Sequence, residues 1–428
     1  MTGAPTSGWR SLDSRQRGVL ASTLTANGLV FFDQTAVTVA LPAIGRDLGA
    51  DAGLLPWVIT SYLAALALFM VVAGRLADRL GRKRTFLGGL ALFALGSTLC
   101  AAAPTVELLI AARFVQGTGG AFVQPLALSN TTRAVGDASR GWAIGALATG
   151  GTSLLVLGPL LAGLVLEVAS WRWLFVLVVP VAAVALVTGW RSITPSRGEA
   201  PGPSGGSARS LARQPMLVAS LTALFAVQFA VFAVTVPLTL YLQHGLALGA
   251  MAAGFVIALA GLGTPLLSMT TGRMADRLGP RALVLPGLLL AAVALLALAL
   301  LAPLDGVAVL VPGLLGFALA RPVVFTPAGA GPFLALSAEH RAFAAGLATE
   351  ARQLGALLGV AVAGAVFAAV NGAELAEGDA TLVDGFAAAV LVAAAVCAAG
   401  AVVVGRRMPA TTGPAPHPDP DPDPPRSA

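Results

Sequence analysis

The chain carries little charge. Asp, Glu, Lys and Arg together make up 11% of its 428 residues, where a soluble domain carries about 25%. With 57% hydrophobic residues and a mean hydropathy of +0.85, an ordinary water-soluble domain is excluded and a polytopic membrane protein is expected. Cysteine is almost absent. Cys100 and Cys397 sit in apolar stretches without disulfide or metal spacing, so they read as small packing residues and no metal is expected. The loop G-x-x-x-x-G-K-[ST] does not occur, which argues against ATP as a bound energy source and against an enzyme. The formal charge is +6, but the basic residues fall in short loops between apolar runs rather than on one face, which argues against nucleic acid as a partner.

What the chain does have is a succession of long apolar runs. Twelve spans are expected, at about 18–41, 54–74, 86–103, 106–130, 141–166, 172–190, 216–242, 251–271, 282–302, 307–330, 343–370 and 384–405. Most reach the roughly 20 residues a helix needs to cross hydrocarbon, and the alternation of a barrel is missing. Arg10, Arg15 and Arg17 precede the first run like the start of a signal peptide. That run is too long for a signal core, so a retained first helix is expected. With the N-terminus in the cytoplasm, 21 of the 26 Lys and Arg residues lie in inner segments, Arg46 and Arg172 lie outside, and Arg113, Arg321 and Arg352 lie within spans. This bias predicts a multi-pass protein of the plasma membrane, embedded in the lipid bilayer with both termini cytoplasmic. The expected divisions are a cytoplasmic N-terminus (1–17), a six-helix bundle (18–190), a cytoplasmic linker (191–215), a second bundle (216–405) and a tail (406–428). The linker is rich in Pro, Gly, Ser and Arg, and the Pro-rich tail cannot bury a core and reads as disordered. The loop before the last span is acidic, with Glu374, Glu377, Asp379 and Asp384.

The chain repeats itself. GRLADRLGRKR, from Gly74 to Arg84, packs five basic residues and Asp78 between two spans, and GRMADRLGPR runs from Gly272 to Arg281, offset by 198. Arg140-Gly-Trp-Ala-Ile-Gly145 is echoed by Arg341-Ala-Phe-Ala-Ala-Gly346 at an offset of 201. A parallel repeat of two six-helix halves is an architecture of secondary transporters.

Several motifs carry a resemblance. The first loop has Gly74, Asp78, Arg79, Gly81, Arg82, Lys83 and Arg84. The fourth span has Leu109, Arg113, Gln116, Gly117 and Gly119, and the fifth has Gly145, Gly158, Pro159 and Gly163. The first span carries Asp33, Thr35 and Ala40-Leu41-Pro42, the sixth opens with Trp171-Arg172-Trp173, and the eleventh holds Arg352-Gln353-Leu354-Gly355. On these residues the chain resembles the major facilitator superfamily, and within it the drug:proton antiporter branch of EmrB/QacA type. The match departs at Leu154 and Ala162, which stand where glycines are usual, at Thr38 and Val178 in place of asparagines, and in lacking the two extra spans of that fourteen-helix branch. The resemblance implies an all-α membrane protein of the major facilitator fold, with 12 transmembrane helices in two pseudo-symmetric six-helix bundles. It also implies proton-coupled export of small hydrophobic compounds by alternating access, with the proton gradient in place of any cofactor. The partners are then a small-molecule substrate and protons. A dedicated metabolite or antibiotic exporter, a proton symporter for uptake and a non-transporting membrane sensor remain as alternatives.

Candidate roles follow from depth and chemistry. At roughly 1.5 Å per residue, Asp33 lies about 22 Å and Arg113 about 26 Å from the inner surface. A lone charge there costs about 2.5–3.5 kcal/mol, so the two are expected to pair, either as a proton site or as a structural ion pair. Arg321 and Glu350 match in depth in the same way. Glu350 is a candidate proton carrier, and a salt bridge fixing the tenth and eleventh spans is the alternative. Gly158-Pro159 with Gly163 should bend the fifth span and admit a close neighbour, which the resemblance associates with antiport. In the repeated loop, Gly74 should allow close packing and Gly81 a tight turn. Asp78 should latch an inner gate that forms when the molecule opens outward and breaks when it opens inward. Asp276 and Arg277 of the copy should form a weaker latch, since Pro280 replaces the arginine. Candidate substrate contacts are Phe225, Gln228, Phe229 and Phe232 of the seventh span, with Gln116, Gln124 and Arg321; packing is the alternative for the phenylalanine stripe.

Overall fold

The computed structural model describes residues 9, 12–50, 53–135, 137–195, 214–304, 306–334, 338–371 and 381–409. Most of the expected linker, the acidic residues Glu374, Glu377 and Asp379, and the tail from 410 onward lie outside the described residues. No strand occurs among the described residues. The first half comprises α1 (Ser14–Leu48), α2 (Leu55–Leu80), α3 (Arg82–Ala102), α4 (Val106–Ala134), α5 (Asp137–Val168) and α6, which is broken at Leu177 into Arg172–Val176 and Val178–Ser192. The second half comprises α7 (Pro215–Leu240), which runs on as a π-helical turn (Tyr241–Gly245), and α8, broken into Ala250–Leu259 and Gly263–Leu278. It continues with α9 (Arg281–Leu301), α10 (Val307–Leu334), α11 (Ala338–Asn371) and α12 (Thr381–Arg407). Eleven of these are long and apolar enough to cross a membrane, and α2 makes twelve when its segments Leu55–Met70 and Val72–Leu80, bent by 50°, count as one span.

Local chemistry sets the helix ends. α1 starts earlier than hydropathy predicts because Asp13 and Gln16 form a capping box: Gln16 N donates to Asp13 Oδ1 at 2.7 Å and Asp13 N to Gln16 Oε1 at 3.0 Å. α2 ends at Gly81 (φ 91°), whose N–H bonds Ala77 O, and the first α8–α9 turn repeats this at Gly279 (φ 82°) with Ala275 O. The repeated letters thus encode one repeated backbone conformation that only glycine adopts without strain. The outward faces are apolar, and Trp57 and Trp173 are exposed near one end of the bundle with Trp190 near the other. That is the pattern of aromatic belts at the two interfaces.

The halves meet through α5 on α8, α2 on α11 and α1 on α7. Among the described residues, the close approaches between the halves lie from mid-height to the end opposite the Gly74–Arg84 loop. A Cβ on Gly254 would stand 2.4 Å from Pro159 O, one on Gly163 2.8 Å from Ala250 O, and one on Gly364 2.9 Å from Pro56 Cβ. Gln243 Nε2 in the π-turn donates to Val39 O at 2.9 Å. At the loop end, Gly74 does not seat a helix as expected: its face is exposed, and a Cβ there would meet nothing within 4 Å.

Candidate functional site

Asp33 is brought to Arg113 by the crossing of α1 and α4. Both are buried, at 2% and 0% exposure, and Arg113 Nη1 donates to Asp33 Oδ2. Gln116, one turn beyond Arg113 on the same face of α4, completes the arrangement. Its Oε1 accepts from Arg113 Nη1 at 2.6 Å, and its Nε2 donates to Asp33 Oδ1 at 3.0 Å and to Ser97 Oγ at 3.2 Å. Ser97 passes the chain on to Phe175 O at 3.1 Å. Arg113 Nε donates to Val58 O at 3.0 Å, and the guanidinium lies 4.1 Å from the Tyr62 ring centroid. The amide of Gln116 therefore reads both charges at once, with its acceptor on the cation and its donor on the anion. Gln116, a candidate substrate contact by sequence, is bonded within this network. Sequence reading missed Ser97 and Tyr62. The only available signal for Tyr62 was rarity, since the chain has two tyrosines.

The proline of α5 creates the second feature. Pro159 has no N–H, which orphans Leu155 O one turn before it. Thr35 of α1 fills that vacancy: its Oγ1 donates to Leu155 O at 2.9 Å. Gly158 makes this possible, because a Cβ there would stand 2.4 Å from Thr35 Oγ1. Leu154, in a position where the resemblance leads one to expect glycine, is accommodated by a glycine on the partner helix: a Cβ on Gly28 would meet Leu154 Cδ1 at 2.4 Å. With Gly163 and Pro159 against α8, the small residues of α5 hold it between α1 and the other half.

Thr35, Pro159 and Arg321 line a cavity of about 30 Å³ between the halves, walled by α1, α5, α7, α8 and α10. From α7 it receives Val231, Val234, Thr235 and Leu238. The candidates Phe225, Gln228, Phe229 and Phe232 do not line it. Phe225 O and Phe229 O instead receive α11, where Cβ atoms on Gly355 and Gly359 would stand 2.5 and 2.4 Å away. These contacts are to the backbone of α7, while the rings of Phe225 and Phe229 lie beside each other with centroids 6.1 Å apart. Gln124 does not line this cavity; its Oε1 accepts from Gln353 Nε2 of α11 at 2.8 Å, a bond across the halves, while its buried Nε2 has no partner among the described residues.

Among the described residues Arg321 and Glu350 form no ion pair, so the alternative of a salt bridge fixing α10 to α11 is not what the structure shows. Arg321 Nη1 donates to Ala260 O at 3.0 Å, at the break in α8. Glu350 Oε2 is buried without a hydrogen-bond partner. Matched depth does not suffice, because depth along a span leaves the rotation of each helix unset. Arg352 lies over Phe325, 5.3 Å from the ring centroid. At the loop end, Asp78 is half-buried and has no ion-pair or hydrogen-bond partner among the described residues, while Arg79, Asp276 and Arg277 are exposed. Lys83 Nζ donates to Trp190 O at 2.6 Å. At the opposite end Asp47 joins three segments. It accepts from Arg172 Nη1 and, at 3.0 Å, from Trp171 Nε1, while Arg172 Nη2 donates to Ala103 O at 3.0 Å.

Comparison with known proteins agrees with this geometry. A family model described as Major Facilitator Superfamily matches residues 23–360. The multidrug efflux pump LfrA of Mycolicibacterium smegmatis is 38% identical over 203 residues, 47% of this chain and 39% of LfrA. The cephamycin export protein CmcT of Amycolatopsis lactamdurans is 39% identical over 189 residues, 43% of this chain and 38% of its own. The multidrug resistance protein Stp of Mycobacterium tuberculosis is 29% identical over 417 residues, 82% of this chain and 77% of Stp. The matches span about a third of the length of the first curated relatives, 28% to 39%. Among solved structures, a bacterial homolog of the human lysosomal transporter Spinster, in an inward-facing and occupied conformation, superposes with a TM-score of 0.76 at 20% identity, over 92% of this chain and 97% of that one. The nucleoside transporter NupG gives 0.70 at 16% identity, over 90% and 100%.

Proposed function

The chain belongs to the major facilitator superfamily, and from that premise we propose that it is a proton-coupled exporter of small hydrophobic compounds working by alternating access. It is a multi-pass membrane transporter and not an enzyme. The efflux and export proteins among its relatives support the direction of transport. The observation that carries proton coupling is the buried Asp33–Arg113–Gln116 network, in which one carboxylate holds a cation that nothing else neutralises. Protonation of Asp33 removes that neutralisation, so α1 and α4 repack. Thr35 stands two residues from Asp33 on another side of α1, against α5 and the cavity. The same helix therefore touches the proton site on one side and the substrate path on the other, which gives the two a shared moving part. A potential of 100 mV contributes about 2.3 kcal/mol for each charge moved.

The alternating cycle is supported by the asymmetry of the contacts between halves. They lie from mid-height to the end opposite the Gly74–Arg84 loop, while Asp78 of that loop is unlatched. By the arginine distribution this is the inward-open arrangement, with both termini cytoplasmic in the plasma membrane. The test uses inverted vesicles with an imposed pH gradient. Asp33→Asn is expected to abolish gradient-driven accumulation of a fluorescent dye while retaining substrate counterflow. Unchanged accumulation by the variant removes the proposed role of Asp33, and dye movement out of inverted vesicles under the same gradient favours symport.

A further inference from the structure

We propose that Arg321 is an anion-recognition residue and that the preferred substrates carry a carboxylate or comparable acidic group on an apolar body. This deepens the exporter reading above and rests on it for the word substrate.

Arg321 is a cation held at 8% exposure in the middle of a membrane span. An arginine in that position normally pairs with an acid or faces a functional cavity. Among the described residues no acid pairs with it, its hydrogen-bond partner is the Ala260 carbonyl, and no Asp or Glu lines the cavity it enters. A guanidinium has five N–H groups in a planar fork, so most of its donors have no protein acceptor. The remaining polar lining is two threonines, Thr35 and Thr235, and the rest is aliphatic or aromatic. Both hydroxyls already donate to backbone carbonyls, Thr35 to Leu155 O at 2.9 Å and Thr235 to Val231 O at 2.6 Å. The donors left for a ligand are therefore those of the guanidinium, whose planar fork in an apolar wall suits a carboxylate bound at two points, with the body of the ligand against the hydrocarbon surface. A cationic compound would meet an unneutralised positive charge there. A second cation reinforces this bias. Arg352 lies over the ring of Phe325, which is one turn from Arg321 on the same side of α10.

The cavity, about 30 Å³ in this conformation, has room for about one water. It is built to widen. One of its walls, α8, is interrupted between Leu259 and Gly263, and another, α5, is continuous but lacks a backbone hydrogen bond at Pro159. The carbonyl that Arg321 holds belongs to the α8 break, so an entering carboxylate would take over the guanidinium from the backbone as α8 moves away.

The experiment uses the purified full-length protein and three matched fluorescent probes: dansyl-leucine (a carboxylate), its carboxamide (neutral) and a dansyl-alkylammonium (a cation). Dansyl enhancement reads binding, and reconstituted vesicles with a pH gradient read transport. Wild type is expected to bind the carboxylate at least about tenfold more tightly than either other probe. Arg321→Gln should lose about tenfold on the carboxylate and stay within about twofold on the carboxamide, and Arg321→Lys should retain most of the preference. A structural role at the α8 break alone would move all three probes together. The proposal is overturned if wild type binds the carboxamide or the ammonium as well as the carboxylate, or if Arg321→Gln keeps the preference. The wild-type comparison stands even if the glutamine variant does not fold. Anion preference without gradient-driven movement would sink the exporter reading and leave the recognition site, and gradient-driven movement without anion preference would do the reverse.

Discussion

The bond from Thr35 to Leu155 O offers a sharp test of how α1 and α5 are joined. Thr35→Val keeps the shape of the side chain and removes the donor. The carbonyl it serves cannot be recovered within α5, because Pro159 occupies the position whose N–H would bond it. A buried acceptor left unsatisfied costs about 1–3 kcal/mol, while interhelical bonds in membranes average about 0.6 and reach about 1.7 kcal/mol because alternative partners are usually found. Here the alternative is removed by the proline, so the cost should fall in the upper part of the membrane range, about 1–1.5 kcal/mol. The control is Pro159→Ala, which restores an N–H to Leu155 O and should stabilise the helix by itself. In that background Thr35→Val should cost about 0.5 kcal/mol or less, giving a coupling near 1 kcal/mol in a double-mutant cycle. Titrating the four proteins with SDS in mixed micelles, with tryptophan fluorescence as readout, measures all four corners. An equal cost of Thr35→Val with and without Pro159 would refute the argument that the hydroxyl serves the proline break.

Other outcomes follow from single features. Gly81→Ala and Gly279→Ala should each lower stability by about 1–3 kcal/mol, since both sit at positive φ with extended ψ; a thermal melt in which either change is silent contradicts the repeated-turn reading. Cysteines replacing Pro56 and Gly364 would start 2.9 Å apart at Cβ, so a disulfide between them requires α2 and α11 to part by about 1 Å to reach the usual separation of about 3.8 Å. Oxidation should stop transport and reductant restore it, with Cys100 and Cys397 silent because both are buried; normal transport by the oxidised protein would show that this contact need not open. Gln116→Leu strips the cation of one acceptor and the carboxylate of one donor, and should destabilise by about 1–3 kcal/mol. A neutral effect in SDS titration would mean the pair is satisfied without it.

Much of this was legible in the residues. Long apolar runs admit only helices in lipid, so the order and number of spans followed from hydropathy. The repeat of Gly81 at Gly279 followed from a backbone conformation that needs no side chain. The Asp33–Arg113 pair followed from cost, since each charge demands a partner and the depths agreed. Gly158 and Pro159 announced a bend and a close contact, although Thr35 as the group that repairs the break did not follow from them.

What the sequence could not supply is which face of each helix meets which neighbour. In a soluble protein the polar face marks the outside; here lipid is as apolar as the core, and that signal disappears. Depth along a span therefore left a salt bridge open as the alternative for Arg321 and Glu350, which form no ion pair among the described residues. The phenylalanine stripe of α7 was open to a cavity or a packing reading for the same reason, and the sequence did not show that α11 packs on the backbone of that helix through Gly355 and Gly359. Gln124 and Gln353, far apart in the chain, meet only because the two halves dock. The sequence determined the spans, the repeated turns and the buried charges, because each is fixed by a local cost. Only the tertiary structure decided the partners and the cavity, because those depend on how twelve helices rotate and tilt against one another.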